Sequence, residues 1–273
     1  MFKNKKLFAF TLLLVLSVFA LAACGGGEES ATSETSTEGA SKLEEVKAND
    51  KIVWGVKNDT KLFGLKNPST GEVEGFDIDI AKAITEIILG DASKVEFKEV
   101  TSKTRIPMLN NGDIDAIVAT MTITEDRKKE VDFSDVYFEA GQSLLVKKGS
   151  PIQSIDDITA DTKVIAVKGS TSAINIREKA PDAQVLEFEN YAEAFTALKA
   201  GQGDTLTTDN AILYGMASED SNFEVVGDLF TDEPYGIAAK KGSDDLVKAV
   251  NDALAELKEN GKYDEIHNKW LNF

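Results

Sequence analysis

The sequence holds one cysteine, Cys24, and one histidine, His267. That scarcity removes whole classes of chemistry. A lone cysteine makes no internal disulfide, and without a Cys/His cluster there is no zinc site to read. A nucleophile–histidine pair would have to use His267, which lies in the charged segment Tyr263 to Trp270 and reads as a helix-surface residue. No Gly-x-x-x-x-Gly-Lys-Ser/Thr loop occurs, so nucleotide hydrolysis has no seat in this chain. Positive charge is in deficit as well: 30 Lys and Arg stand against 47 Asp and Glu, a formal charge of −17. This balance argues against nucleic acid, whose phosphates need a basic face, and against polybasic docking onto anionic lipid. Asp113 and Asp115 could be imagined as a catalytic pair, but they read more simply as the flank of the Asn111-Gly112 turn. Neither a cofactor nor a metal is expected.

What is present starts with Lys3, Lys5 and Lys6, then an apolar run from Leu7 to Ala20, then Leu21-Ala22-Ala23-Cys24 and Gly25-Gly26-Gly27. A positive start, an apolar stretch and small residues before a cleavage point describe a secretory signal over 1–23. Leu21-Ala22-Ala23-Cys24 resembles a bacterial lipobox, in which the thiol is acylated and Cys24 becomes the new N-terminus. The alternative is an uncleaved anchor, because the apolar run approaches the minimum spanning length. After Cys24 the chain is Gly, Ser, Thr, Glu and Ala with almost nothing large and apolar. Such a stretch cannot offset its chain entropy by burial, so 24–45 is expected to be a lipidated, disordered tether. The expected location is the outer face of the cell membrane, with the acyl chain as anchor.

From Lys51 onward, strand-like and helix-like segments alternate. Lys51 to Val56 reads as a strand, and Ile80, Ala83, Ile84, Ile87 and Ile88 recur at helical spacing with Gly90 as the stop. Lys94 to Val100 and Ile114 to Ala119 read as strands, the latter of the buried, parallel kind, with a short helix around Pro107 and a charged one from Glu125 to Val131. A second unit repeats the theme: strands at Lys163 to Val167, Gln184 to Phe188 and Thr205 to Thr207, each followed by a helix. This is an α/β pattern with mainly parallel strands. Two extended runs, Tyr137 to Val146 and Glu233 to Ala239, carry Gly141 and Gly236 and suit strands that cross between units and bend. The expected plan is lobe 1 at 46–141 plus 237–273 and lobe 2 at 142–236.

Binding residues gather at strand ends. The strand ending at Ala119 runs into Thr120-Met121-Thr122-Ile123-Thr124 and a helix start carrying Arg127, whose planar fork of donors suits a carboxylate. In the second unit Lys168-Gly169-Ser170-Thr171-Ser172 joins strand to helix, and Asp209 follows Thr207-Thr208 at a third strand end. Ligands of open α/β sheets bind outside the carboxyl ends of strands. Taken singly, Thr122, Thr124 and Asp209 read as helix caps and Arg127 as a surface ion pair. Together, a cation, hydroxyls and a separate carboxylate make a receptor for a zwitterion.

Gly75-Phe76-Asp77-Ile78-Asp79, Arg105-Ile106-Pro107, Ala119 through Arg127, and Val131-Asp132-Phe133-Ser134 resemble family 3 of the bacterial solute-binding proteins, the polar amino-acid receptors of ABC importers. The resemblance runs from Lys51 to Phe273. Leu206 to Gly215 and Phe63-Gly64-Leu65 are similar, more narrowly, to the glutamine- and glutamate-binding lipoproteins of Gram-positive bacteria. The resemblance implies a periplasmic-binding-protein-like fold, two lobes joined by two crossing strands, closing on one amino acid. It implies that Arg127 pairs with the ligand α-carboxylate with help from Thr122, Thr171 and Ser172, and that Asp209 takes the α-ammonium with Thr120 assisting. Relatives often clamp the ligand between two aromatic rings; here those positions hold Thr60 and Ser102, with Phe63 a substitute for one ring. Lys57, Arg105 and Lys168 align near the distal end of the ligand and favour glutamine, glutamate or aspartate, since like charge excludes lysine and arginine. Alternatively Lys57 and Lys168 are solvated rim charges, and Arg105 pairs with an acid of its own lobe. The expected protein is no enzyme but a monomeric receptor that hands an amino acid to a membrane permease. The rival readings are a cyclohexadienyl-dehydratase-like enzyme and a sensor ectodomain feeding no importer.

Overall fold

The computed structural model describes residues 41–272. The signal segment and Cys24 lie outside the described residues. Within the stretch that composition reads as tether, α1 (Lys42–Ala48) is a helix. Its start is fixed by a capping box in which the Ser41 hydroxyl accepts from the Glu44 N–H while the Glu44 carboxylate receives the Ser41 N–H. Val46 is buried, and the Leu43 N–H donates to Asp245 at 2.7 Å. The helix thus begins before residue 45, held by its cap, by buried Val46, by the Leu43 bond to Asp245 and by the Lys42–Asp115 ion pair at 2.7 Å.

The first sheet and its helices come from β1 (Ile52–Val56), β2 (Asp59–Thr60), β3 (Gly64–Lys66), β4 (Val73–Glu74), α2 (Phe76–Leu89), β5 (Val95–Glu99), α3 (Arg105–Asn111), β6 (Ala116–Ile117), α4 (Glu125–Lys128) and β7 (Val131–Ala140). The chain then builds β8 (Gln142–Lys147), β9 (Lys163–Val167), α5 (Ser172–Lys179), β10 (Gln184–Phe188), α6 (Tyr191–Lys199), β11 (Thr205–Asp209), α7 (Asn210–Glu219) and β12 (Phe223–Val226). It returns through β13 (Glu233–Lys240) and closes with α8 (Asp244–Glu259) and α9 (Lys262–Trp270). The first sheet has the order β5-β1-β6-β13-β7 and the second β10-β9-β11-β8-β12, with β2, β3 and β4 forming a small third sheet. Parallel pairs occupy one side of each large sheet, and antiparallel strands complete the other. The fold is α/β and two-lobed, as the alternation implies.

Side chains explain the packing. In α8, Leu246, Val250, Ala253, Leu254 and Leu257 are buried, a helix-period stripe that lies against α2 and β7. The buried Trp54 of β1 donates its indole N–H to Thr85 of α2 at 2.9 Å, tying sheet to helix.

Several boundaries differ from the sequence pattern. The strand expected at Ile114 to Ala119 shrinks to β6, because the Asp115 carboxylate takes the Val53 N–H that a ladder carbonyl would otherwise receive. The single crossing run expected from Tyr137 to Val146 is broken at Gly141 into β7 and β8. The return also comes earlier than Ile237, since Glu233 is already in register with Ala140.

Candidate functional site

The loop after β6 is held open by strain and by a buried acid. Thr120 has φ of +46°, unusual for a β-branched residue. Its N–H donates to Asp77 at 2.9 Å, and Tyr137 donates its hydroxyl to the other oxygen of Asp77 at 2.8 Å. Burial pushes the Asp77 carboxyl up to about 7, the two hydrogen bonds only partly offsetting it. Thr122 follows in an isolated bridge opposite Tyr235. The bonds of that bridge run Ile123 N–H to Pro234 O and Gly236 N–H to Met121 O. The N–H and C=O of Thr122 itself are thus turned away from β13. Arg127 donates to that Thr122 carbonyl at 2.7 Å, and reaches across to the Gly169 carbonyl of the second lobe at 3.2 Å. Three of its five N–H groups are left for a carboxylate.

On the opposite lobe, Thr171 is the N-cap of α5 but its side chain caps nothing. Its hydroxyl instead donates to Glu233 at 2.7 Å. The Ser172 and Ser170 hydroxyls lie 2.7 Å apart, with Ser170 donating to the Val167 carbonyl. Asp209 ends β11, is buried, and accepts the Tyr235 hydroxyl at 2.5 Å on one oxygen. The other oxygen, Oδ1, is buried with no hydrogen-bond partner. Desolvation, and then the nearby Glu233 charge, push the Asp209 carboxyl up to about 7, against the pull of Tyr235, Arg127 and the Gln142 amide. Arg127 and Asp209 thus stand on opposite lobes, near enough for each charge to act on the other. Outside Arg127 a cleft of about 720 Å³ continues to the surface, lined among others by Ser102, Lys103, Gly169 and Thr171.

Two of the three distal cations are deeply buried. Lys57 is 1% exposed, donates to Ser102 at 2.9 Å and stands 5.1 Å from the centre of the Tyr191 ring. Burial, with Arg105 and Arg127 adding repulsion, brings its ammonium down to about 7 against the attraction of Asp59. Ser102, one of the positions without an aromatic ring, is thus the partner of Lys57. Arg105 is 2% exposed and donates to the Ala119 and Thr120 carbonyls at 2.8 and 3.3 Å, not to an acid, while its Nε is buried without a partner. Burial and then Arg127 bring it down to about 9.

Two expected ligand residues stand elsewhere. Lys168 pairs with Glu189 on the surface. The parallel register Val167↔Phe188 sets the following residues of β9 and β10 side by side, so its ammonium is already paired with a carboxylate. Phe63 is fully buried, packing edge-on against Phe76, Phe138 and Tyr235. It supports the Tyr235 that holds Asp209.

Sequence reasoning missed Glu233, Gln142, Asn175 and Tyr191. Glu233 is 2% exposed and accepts from Thr122 at 2.7 Å, Thr171 at 2.7 Å and Asn175 at 2.8 Å. Gln142 donates to Thr171 and accepts from Asn175. The available signal is a polar residue at the head of an otherwise apolar strand: Gln142 opens β8 and Glu233 opens β13, and both are buried. Closure itself is built in: the Asp59 carboxylate of the first lobe receives the Tyr191 N–H at the start of α6 at 2.7 Å. Gly169, at φ of +76°, lies so near the first lobe that a Cβ would meet the Lys103 backbone at 2.7 Å.

Comparison with known proteins fits this arrangement. The sequence model of the bacterial extracellular solute-binding proteins, family 3, matches residues 52–273. The ABC transporter glutamine-binding protein GlnH of Bacillus subtilis (strain 168) is 67% identical over 271 residues, covering 98% of this chain and 97% of the relative. A glutamine-binding protein of Geobacillus stearothermophilus is 60% identical over 245 residues, covering 88% and 94%. Among solved structures, an ancestral arginine-binding protein bound to glutamine superposes with a TM-score of 0.77 at 43% identity, covering 82% of this chain and 99% of that one. With a matching family model over most of its length and relatives at this identity, the chain belongs to the bacterial extracellular solute-binding proteins of family 3.

Proposed function

We propose that the protein is the extracytoplasmic receptor of an amino-acid ABC importer and that glutamine is its ligand. It acts as a monomer held to the outer membrane face by acylated Cys24, and it passes the ligand to a permease when the lobes are closed. The single observation that carries this reading is the unpartnered, buried Oδ1 of Asp209, with the Arg127 guanidinium of the other lobe close enough to feel its charge. A buried carboxylate oxygen without a donor is costly unless a ligand supplies one, and an α-ammonium supplies up to three.

In this reading Arg127 takes the α-carboxylate together with the Thr122 N–H and the first N–H groups of α5 at Thr171 and Ser172. Asp209 takes the α-ammonium near Thr120, and Lys57 and Arg105 meet the oxygen of the side-chain amide. The names of the two most identical relatives above support glutamine. Glutamate is the second reading, favoured by two buried cations that have no carboxylate hydrogen-bonded to them. Chemistry is not required: closure around the ligand is a population shift between open and closed lobes.

The test is Arg127→Ala assayed with labelled glutamine by equilibrium dialysis. The expected loss is about 2–5 kcal/mol, the usual consequence of removing one partner of a buried charge pair. Near-normal retention would sink the assignment.

A further inference from the structure

Glu233 occupies the first position of β13, and the role just proposed for the cleft does not use it. Its carboxylate collects three donors from two lobes: the Thr122 hydroxyl from the loop bridged to β13, and the Thr171 hydroxyl and Asn175 amide from α5. Thr122 and Thr171 both converge on Oε2, and their own oxygens are 3.5 Å apart. A hydroxyl has one proton. Each threonine spends that proton on Glu233, so neither oxygen can donate to anything else while the clasp is formed. The Thr171 oxygen also receives the Gln142 amide. The face that these hydroxyls turn to the cleft therefore consists of lone pairs. The site divides by polarity: backbone N–H groups and Arg127 for an anion, and hydroxyl oxygens with two carboxylates for a cation. The Glu233 charge is also the main neighbour opposing ionisation of Asp209, which places the two acids around the same space.

We infer that Glu233 is a positioning residue of the amino-acid site, a clasp that joins the lobes through Thr122 and Thr171 and, by consuming their protons, makes both hydroxyls acceptors for the ligand α-ammonium. The inference rests on the amino-acid-receptor reading for its ligand. The clasp itself does not, because Glu233 holds Thr122 of the first lobe and Thr171 and Asn175 of the second at the same time.

Two measurements on ligand-stripped protein test it, each on wild type and Glu233→Gln, with Thr171→Val as a second variant acting on the other side of the clasp. In the first, calorimetric competition compares glutamine with its deaminated analogue glutaramate and its decarboxylated analogue 4-aminobutanamide. Glu233→Gln should reduce the penalty for losing the ammonium by about tenfold and leave the penalty for losing the carboxylate unchanged. Equal changes in both penalties, or none, would overturn the polarity role. In the second, spin labels on each lobe report the interlobe distance without ligand. Both variants should shift the distribution towards longer distances, and an unchanged distribution would overturn the clasp. If wild type binds no glutamine, the receptor reading falls, while the distance measurement still decides whether Glu233 latches the lobes.

Discussion

Asp209 faces opposing demands. In the proposed role it must be charged to hold an ammonium, yet burial favours its neutral form and raises its carboxyl to about 7. A group raised in this way is protonated in the free native protein between its ordinary range and about 7, whereas the unfolded chain has already lost that proton. Stability contributed by Asp209, and likewise by Asp77, therefore falls as pH rises through this window. Binding runs the other way, since an ammonium favours the carboxylate and expels the proton. Glutamine affinity is expected to be flat above about pH 7.5 and to fall towards about tenfold per unit below about pH 6.5. Calorimetry across pH 5.5 to 8 in buffers of different ionisation heat should also show one proton released on binding at the acid end. A pH-independent affinity would mean that Asp209 is already ionised in the free protein. At this scale the positions of Arg127 and Asp209 were legible, since the alternation of strand and helix already sets one at a helix start and the other at a strand end. It was misleading about Lys168, whose partner Glu189 becomes a neighbour only through the β9–β10 register. It was silent on Glu233, because an acid at the head of an apolar run looks the same whether it is solvated or buried.

Among the elements, the strand-end loops decide whether the lobes can meet. The β9–α5 loop approaches the first lobe at Gly169, where any side chain would strike the Lys103 backbone and would also need a left-handed conformation. Gly169→Ala is expected to destabilise the fold by only about 1–2 kcal/mol from the backbone conformation. It should weaken ligand binding by about tenfold or more through faster dissociation, since the closed state is the one obstructed. Stopped-flow release kinetics beside a thermal melt separate the two effects; an unchanged release rate would show that closure does not use this contact. Gly215 of α7 is a companion contact, its Cβ position lying 2.8 Å from the Lys61 carbonyl of the first lobe. The long elements, α2, α8 and the parallel strands, were legible from their periodicity. The short β2-β3-β4 sheet was not, since strands of two or three residues carry no period, and the extent of β6 depended on one side-chain bond from Asp115.

For the whole molecule, the two-sheet plan puts Arg127 on one lobe and Asp209 on the other, so in the proposed reading ligand capture and closure are a single event. The Asp59 bond to the start of α6, the Arg127 bond to Gly169 and the Glu233 clasp are all made across that boundary. The other whole-molecule question is the attachment proposed above. Cys24 is the only cysteine in the chain, so Cys24→Ser is expected to abolish labelling by a fatty-acid probe and to move the protein from the membrane fraction into the medium. Continued membrane retention of the serine variant would favour an uncleaved apolar anchor.

The most direct measurement is a calorimetric titration of ligand-stripped wild type and Asp209→Asn with L-glutamine, L-glutamate and L-arginine. A receptor for a zwitterion with a polar, non-cationic side chain predicts saturable binding of glutamine by wild type, no binding of arginine, and a loss of about 2–5 kcal/mol in Asp209→Asn. Tight arginine binding, or glutamine affinity unaltered in Asp209→Asn, would contradict it.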